Sequence, residues 1–292
     1  MFSQQAWNSP MLPTPSTSHV SFDHVYEPAE DSYLLLDTLS SDQEKVFLKG
    51  RFGSQRISST GHSSKVDDIA SNPDLERNHT SCPLVLEVGT GSGIVLAFLS
   101  ANSQVILGRA DVVTLGTDLN VIACRATQET VQRAMQDRNA ENVDSHSSLR
   151  DGPVCLEPLL ADLAAPLRPG CVDVLVFNPP YVPSEVLPGQ VPTGGTGPTH
   201  SSVKARVDND LLALSYAGGV DGMETTSRLL HSLPSLLSPL GVAYVLLCAQ
   251  NKPNAVKQSI RQWGSPWRVE TVSRSGKQAG WEKLQVIRIW RV

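Results

Sequence analysis

Residues 84–101 run from a short apolar segment, Leu84-Val85-Leu86-Glu87-Val88, through three alternating glycines at 89, 91 and 93, into the apolar stretch 94–101. That order predicts a buried strand, a tight turn and a helix. The same alternation continues downstream. A strand-like run at 112–119 leads into a helical stretch of Ala, Arg, Gln, Glu and Met at 120–139, and further strand-like runs follow at 154–163 and 172–177. A helical segment near 223–238 precedes the apolar run 241–250, and the runs 268–273 and 283–292 close the chain as an expected antiparallel pair. Strands alternating with helices predict an α/β fold: a doubly wound, mostly parallel sheet with a terminal antiparallel strand pair.

The chain has 292 residues, 40% of them apolar, enough to bury a single large core. Residues 1–20, with Pro10, Pro13 and Pro15 among Ser and Thr, read as a disordered arm, and 21–292 as one domain. Residues 26–39 read as a helix entered through Pro28, with Tyr33, Leu34, Leu35 and Leu39 available to pack inward. Polar stretches near 40–82, 140–152 and 183–203 lack periodicity and read as flexible insertions. Net charge is −5, which argues against strong nucleic-acid binding through phosphate contacts. Five cysteines without a C-x-x-C pair predict neither a disulfide framework nor a metal site. No apolar run approaches a membrane span, so the expected setting is soluble and intracellular, in the cytoplasm or also the nucleus.

Ligands of parallel α/β sheets bind beyond the carboxyl ends of the strands. At the end of the first run stand Glu87 and the glycine turn; at the end of the second stands Asp118, placed to accept hydrogen bonds from a ribose diol. That pair fits a dinucleotide or an adenosyl ligand. The dinucleotide fingerprint wants a glycine or alanine where this chain has Ile94, and Glu87 would repel a pyrophosphate. The same carboxylate suits the ammonium and sulfonium of S-adenosylmethionine. Asp162, ending the third run, is placed to meet an adenine amino group, with Leu163 covering the ring; a lone acid there can equally be a helix cap.

The fourth run ends in Asn178-Pro179-Pro180-Tyr181. Two prolines remove backbone donors, while one amide, the intervening carbonyls and one polar-tipped ring remain. Such a site presents acceptors to a planar nitrogen that carries hydrogens, as an amide or exocyclic amine does; a bare Asn-Pro-Pro can also be a rigid stop after a strand. The Asn178 side-chain oxygen and the Pro179 carbonyl are the expected acceptors in catalysis, with Pro180 and Tyr181 lining the substrate side and Tyr181 excluding water. His24 is assigned no role.

With those residues in place the chain resembles the HemK-like class I S-adenosylmethionine-dependent methyltransferases, and within them the eukaryotic branch of release-factor glutamine methyltransferases. The segments that carry the resemblance are VYEPAEDSYLLLDTL (25–39), LEVGTGSGIV (86–95), GTDLN (116–120), ADL (161–163), LVFNPPYVP (175–183), AGGVDG (217–222) and QAGWEKLQVIRI (278–289). The resemblance implies a Rossmann-like sheet and a cofactor site of Ser32, Glu87, Gly89, Gly91, Gly93, Asp118, Asp162 and Leu163. It implies conversion of S-adenosylmethionine to S-adenosylhomocysteine, with Asn178 holding a glutamine of the Gly-Gly-Gln loop of the class 1 translation release factor. It also implies a heterodimer with a small zinc-binding activator protein. Relatives often carry Arg where this chain has Val220 and Lys277. An adenine N6-methyltransferase, a lysine methyltransferase and a non-catalytic scaffold are the competing expectations.

Overall fold

In a computed structural model, residues 12–53, 82–141, 152–184, 212–276 and 283–292 are described. Strand β1 (Leu84–Val88) lies inside an eight-stranded sheet, parallel to β2 (Val113–Asp118) on one side and to β5 (Val172–Phe177) on the other. Beyond β2 lie the short β3 (Val154–Cys155) and β4 (Leu159–Leu160); beyond β5 lie β6 (Leu237–Cys248), β8 (Leu284–Arg291) and β7 (Trp267–Arg274). Among the described strands β8 alone runs opposite to the rest, between β6 and β7, so β7 and β8 form the expected antiparallel pair.

Alternate residues of each central strand serve opposite layers, as the twofold side-chain period requires. Val85, Val174, Val176 and Tyr244 pack with α1 (Glu30–Ser40), α2 (Asp42–Phe52), α3 (Ile94–Ala101) and α4 (Ser103–Leu107). Leu86, Leu175, Ala243 and Val245 pack with α6 (Glu224–Leu236) and α7 (Pro253–Arg261) on the other face. The long α5 (Val121–Glu141) lies against α3. Burial on both faces is why the central strands read as continuous apolar runs. The strand order turns back at β1, with β2 on one flank and β5 on the other, and this opens the crevice used below.

Several segments differ from the sequence expectation. The run 154–163 does not form one strand: it breaks into β3 and β4 around Glu157 and Pro158, because proline supplies no N–H to a ladder. In α1, Leu36 is buried and Tyr33 is 46% exposed, reversing the expected inward role of that ring.

The expected insertion at 40–82 contains a helix, α2, while 54–81 lies outside the described residues. Ser41 caps α2 by accepting from the Glu44 N–H, acids occupy its first turn and Lys49 and Arg51 its last. Its anchor is remote in sequence. Buried Glu44 accepts two bonds of 2.8 Å from Arg288 Nη1 and one of 2.7 Å from the Tyr244 hydroxyl. Arg288 also lies 3.7 Å above the Phe47 ring.

In the expected N-terminal arm, Leu12 packs against the core and His19 Nε2 lies 3.1 Å from Thr130 Oγ1; residues 1–11 are outside the described set. So are 142–151 and 185–211, which hold most of the other two expected insertions. Helix α7 begins at Pro253 without having been expected. No described helix is long and apolar enough to cross a membrane.

Candidate active site

The carboxyl ends of β1, β2 and β5 meet around a cavity of about 250 Å³. Of the residues expected from sequence, Ser32, Glu87, Gly89, Gly91, Asp118, Leu163, Asn178 and Pro180 line it. Gly93, Pro179, Asp162 and Tyr181 do not; His24, Tyr26 and Arg228 line it without having been expected.

The turn after β1 is held to the end of β2. Gly89 N–H donates to Thr117 O at 2.7 Å, and Gly91 N–H donates to Asp118 Oδ2 at 2.9 Å. The other Asp118 oxygen accepts from Asn120 N–H at 2.8 Å. Gly91 has a φ of +51°, in the left-handed region that favours glycine. Gly93 has another function: it opens α3 and packs so closely on α5 that a Cβ would lie 2.5 Å from Thr127 Cα.

Glu87 is buried, and its Oε2 accepts from Leu96 N–H at 2.8 Å. Burial pushes its carboxyl well above the ordinary carboxylate range; the Leu96 bond opposes that and the neighbouring Asp118 charge adds to it. Burial also raises Asp118, against the N–H groups of Gly91 and Asn120. Two acids with costly charges therefore face one cavity, an arrangement suited to a cationic ligand.

Asp162 follows β4 and turns toward α6, where Oδ2 pairs with Arg228. Its Oδ1 is buried without a partner among the described residues. Leu163 adopts a φ of +51°, unusual for a branched side chain, and this sharp turn places Ala161 and Leu163 on the cavity wall.

At the end of β5 the Asn178 amide is oriented by a residue that the sequence reading passed over. Asp31, 2% exposed in the first turn of α1, accepts through Oδ2 from Asn178 Nδ2 at 3.1 Å, Tyr26 hydroxyl at 3.0 Å and Tyr181 hydroxyl at 3.3 Å. Its Oδ1 accepts from the Ser32 N–H at 2.6 Å and Ser32 Oγ at 3.2 Å. Asn178 Oδ1 is buried and has no partner among the described residues.

The Tyr181 ring packs in the apolar layer with Val176 and Tyr244 and is absent from the cavity wall, a correction to its expected contact with substrate. Its carbonyl is held at 3.1 Å by Asn251 Nδ2, which also bonds Asp221 O. Thus the segment 217–222 clamps the Asn-Pro-Pro-Tyr turn from behind. Within 217–222, Val220 is exposed; Lys277 lies outside the described residues. Among the described residues no His, Cys, Asp and Glu are grouped to hold a metal ion.

No family model matches the sequence. The chain is 31% identical to the "eRF1 methyltransferase catalytic subunit mtq2" of Schizosaccharomyces pombe, over 97% of each chain. It is 30% identical to "Methyltransferase HEMK2" of Mus musculus, over 96% of this chain and 97% of that one. A putative protein N5-glutamine methyltransferase of Methanocaldococcus jannaschii is 25% identical, with 92% of each chain covered. Among solved structures, a putative methyltransferase from Streptococcus mutans in complex with SAH aligns with 72% of this chain and 89% of its own. Its identity is 11% and its TM-score 0.35.

Proposed function

The chain belongs to the family of the eRF1 methyltransferase catalytic subunit and Methyltransferase HEMK2, and from that premise we propose how its residues act. It is an S-adenosylmethionine-dependent protein-(glutamine-N5) methyltransferase, and its substrate is the side-chain amide of the Gly-Gly-Gln loop in the class 1 release factor. The observation that carries this reading is the Asn178 amide. Its NH₂ donates to Asp31, and its buried oxygen has no partner among the described residues, at the cavity that Glu87 and Asp118 also line.

The polar inventory fits the cofactor. Glu87 would face its cationic end, Asp118 its ribose hydroxyls and Leu163 its adenine ring, all three lining the cavity; Asp162, off that wall and paired with Arg228, would reach the adenine amine only by turning inward. Ser32 lines the same cavity. When bound, S-adenosylmethionine supplies an electrophilic methyl group on a positively charged sulfur.

A glutamine amide is a poor nucleophile because its nitrogen lone pair is delocalised into the carbonyl, so aiming matters more than deprotonation. Asn178 Oδ1 would accept one amide hydrogen and hold the nitrogen toward the bound cofactor; the Pro179 carbonyl, off the cavity wall, would have to turn inward to accept the other. No general base is needed for this first step: the S–CH₃ bond breaks as the N–CH₃ bond forms, the sulfur leaves as a neutral thioether, and the extra proton on the methylated nitrogen would pass to water. Tyr181 contributes from behind, by fixing the turn through its hydroxyl on Asp31 and its carbonyl on Asn251.

The same reading makes the chain the catalytic subunit of a heterodimer with a small zinc-binding activator. The free edge of the sheet supports this. Among the described residues, β3 and β4 have no strand outside them, and Val154, Leu156 and Leu160 stand 56%, 45% and 62% exposed there. An apolar sheet edge of this kind is normally covered.

The test is labelled-methyl transfer, with and without the activator, to the release factor, to its Gly-Gly-Gln Gln→Ala form and to DNA. Label on the wild-type factor alone, stimulated by the activator, is expected. Label on DNA, or undiminished label on the Gln→Ala form, refutes the assignment.

A further inference from the structure

We propose that Asp31 is a positioning residue for methyl transfer: it decides which end of the Asn178 amide faces the acceptor. This rests on the glutamine reading above and extends it to a residue outside the Asn-Pro-Pro-Tyr turn.

An amide oxygen and amide nitrogen have nearly the same shape, so turning the Asn178 side chain end for end changes no packing. Only hydrogen-bond partners distinguish the two orientations. A carboxylate accepts and does not donate, and Asp31 Oδ2 lies 3.1 Å from the Asn178 amide nitrogen. An oxygen in that place would meet an oxygen. The Asn178 nitrogen is therefore held toward Asp31, and Oδ1 must point the other way, where it is buried and without a partner among the described residues. The site offers a fixed acceptor to a substrate N–H because an anion sits behind it.

The other contacts of Asp31 sharpen the expectation for a substitution. Its Oδ1 is held by the backbone N–H of Ser32 at 2.6 Å, a donor that cannot rotate. In Asp31→Asn, that N–H keeps the remaining oxygen on its own side and sends the new NH₂ toward Asn178. The Tyr26 and Tyr181 hydroxyls, now facing Oδ2, can rotate to accept. Asn178 must then turn its oxygen to the new NH₂ and present its own NH₂ to the acceptor. The shape of the site is unchanged and its polarity is inverted. Replacing Asn178 by Asp as well reverses this: the carboxylate at 178 accepts from the new amide at 31 and still offers its second oxygen to the cavity.

The experiment measures kcat and KM for the release factor, together with S-adenosylhomocysteine affinity by calorimetry. The proteins are wild type, Asp31→Asn, Asn178→Asp and the double variant, each with the activator. Asp31→Asn is expected to lower kcat by on the order of 100-fold, the scale seen when one aligned hydrogen-bonding group is lost from an active site. Cofactor-product affinity and KM should stay within about twofold of wild type. The double variant should exceed Asp31→Asn at least tenfold in kcat.

Wild-type kcat in Asp31→Asn overturns the proposal. So does a double variant no better than Asp31→Asn while still binding S-adenosylhomocysteine, or an Asp31→Asn protein that loses binding and kcat together, which would make Asp31 a support for helix α1. A wild-type enzyme that leaves glutamine unmethylated defeats the underlying functional reading instead, and shows it before any variant is compared.

Discussion

Alanine at Gly93 and alanine at Gly91 should differ in cost, although both positions belong to the same turn and both have positive φ. At Gly91, φ is +51° and nothing lies within 4 Å of an added Cβ. The cost there is the left-handed strain of an L side chain, about 1–2 kcal/mol. At Gly93, φ is +78° and the added Cβ would lie 2.5 Å from Thr127 Cα and 3.0 Å from Thr127 Cβ. Backbone cannot rotate aside as a side-chain tip can, so α5 must move away from α3, an overpacking cost of about 1–3 kcal/mol on top of the strain. Gly93→Ala is therefore expected to lose about 2–5 kcal/mol and Gly91→Ala about 1–2 kcal/mol. Urea unfolding followed by tryptophan fluorescence gives both numbers. Equal losses, or a larger loss at Gly91, would refute the view that Gly93 serves helix packing.

Glu44→Ala leaves the Arg288 guanidinium buried with only the half-exposed Glu270 as an acid partner, and should cost about 3–5 kcal/mol in the same unfolding experiment. Glu87 carries a raised carboxyl in the ligand-free fold, so the fold keeps a proton that the unfolded chain has lost. The stability of the ligand-free protein should accordingly fall as pH rises from the ordinary carboxylate range toward the raised value. Over the same window S-adenosylmethionine affinity should rise and binding should release protons, seen by calorimetry in buffers of different ionisation enthalpy; Glu87→Gln should flatten both trends. Leu160→Lys, on the exposed edge, should change stability by less than about 0.5 kcal/mol. It should weaken activator binding at least tenfold in sedimentation with both proteins present.

Much of the sheet can be read from sequence because β1, β5 and β6 are apolar over most of their length, and Glu87, Asp118 and Asn178 stand at or just past the ends of β1, β2 and β5. The third run misleads for a physical reason. Most of its Leu and Val residues read as core, yet they stand exposed at the edge of the described sheet, interrupted by Pro158, so apolarity there does not mark core. Helix α2 has a weak apolar stripe, and what fixes it is Glu44 reaching Arg288 and Tyr244 across more than half the chain. Asp31 was hidden in a different way. An acid in a first helical turn is ordinary, and nothing local shows that Asn178, Tyr26 and Tyr181 will converge on it. The segment YEPAEDS contains it, directly before the expected cofactor residue Ser32, but its burial is visible only in the fold. Asp162 could be placed by its position after β4, but its pairing with Arg228 depends on where α6 docks.

The account turns on Asn178 acting on the acceptor and not on the cofactor. The most direct measurement follows Asn178→Ala in two assays run on one preparation: methyl transfer to the release factor, and S-adenosylhomocysteine affinity by calorimetry. Transfer should vanish while affinity stays within about threefold of wild type, a change of under about 1 kcal/mol in binding. An active Asn178→Ala enzyme, or one whose affinity collapses together with its transfer, contradicts it.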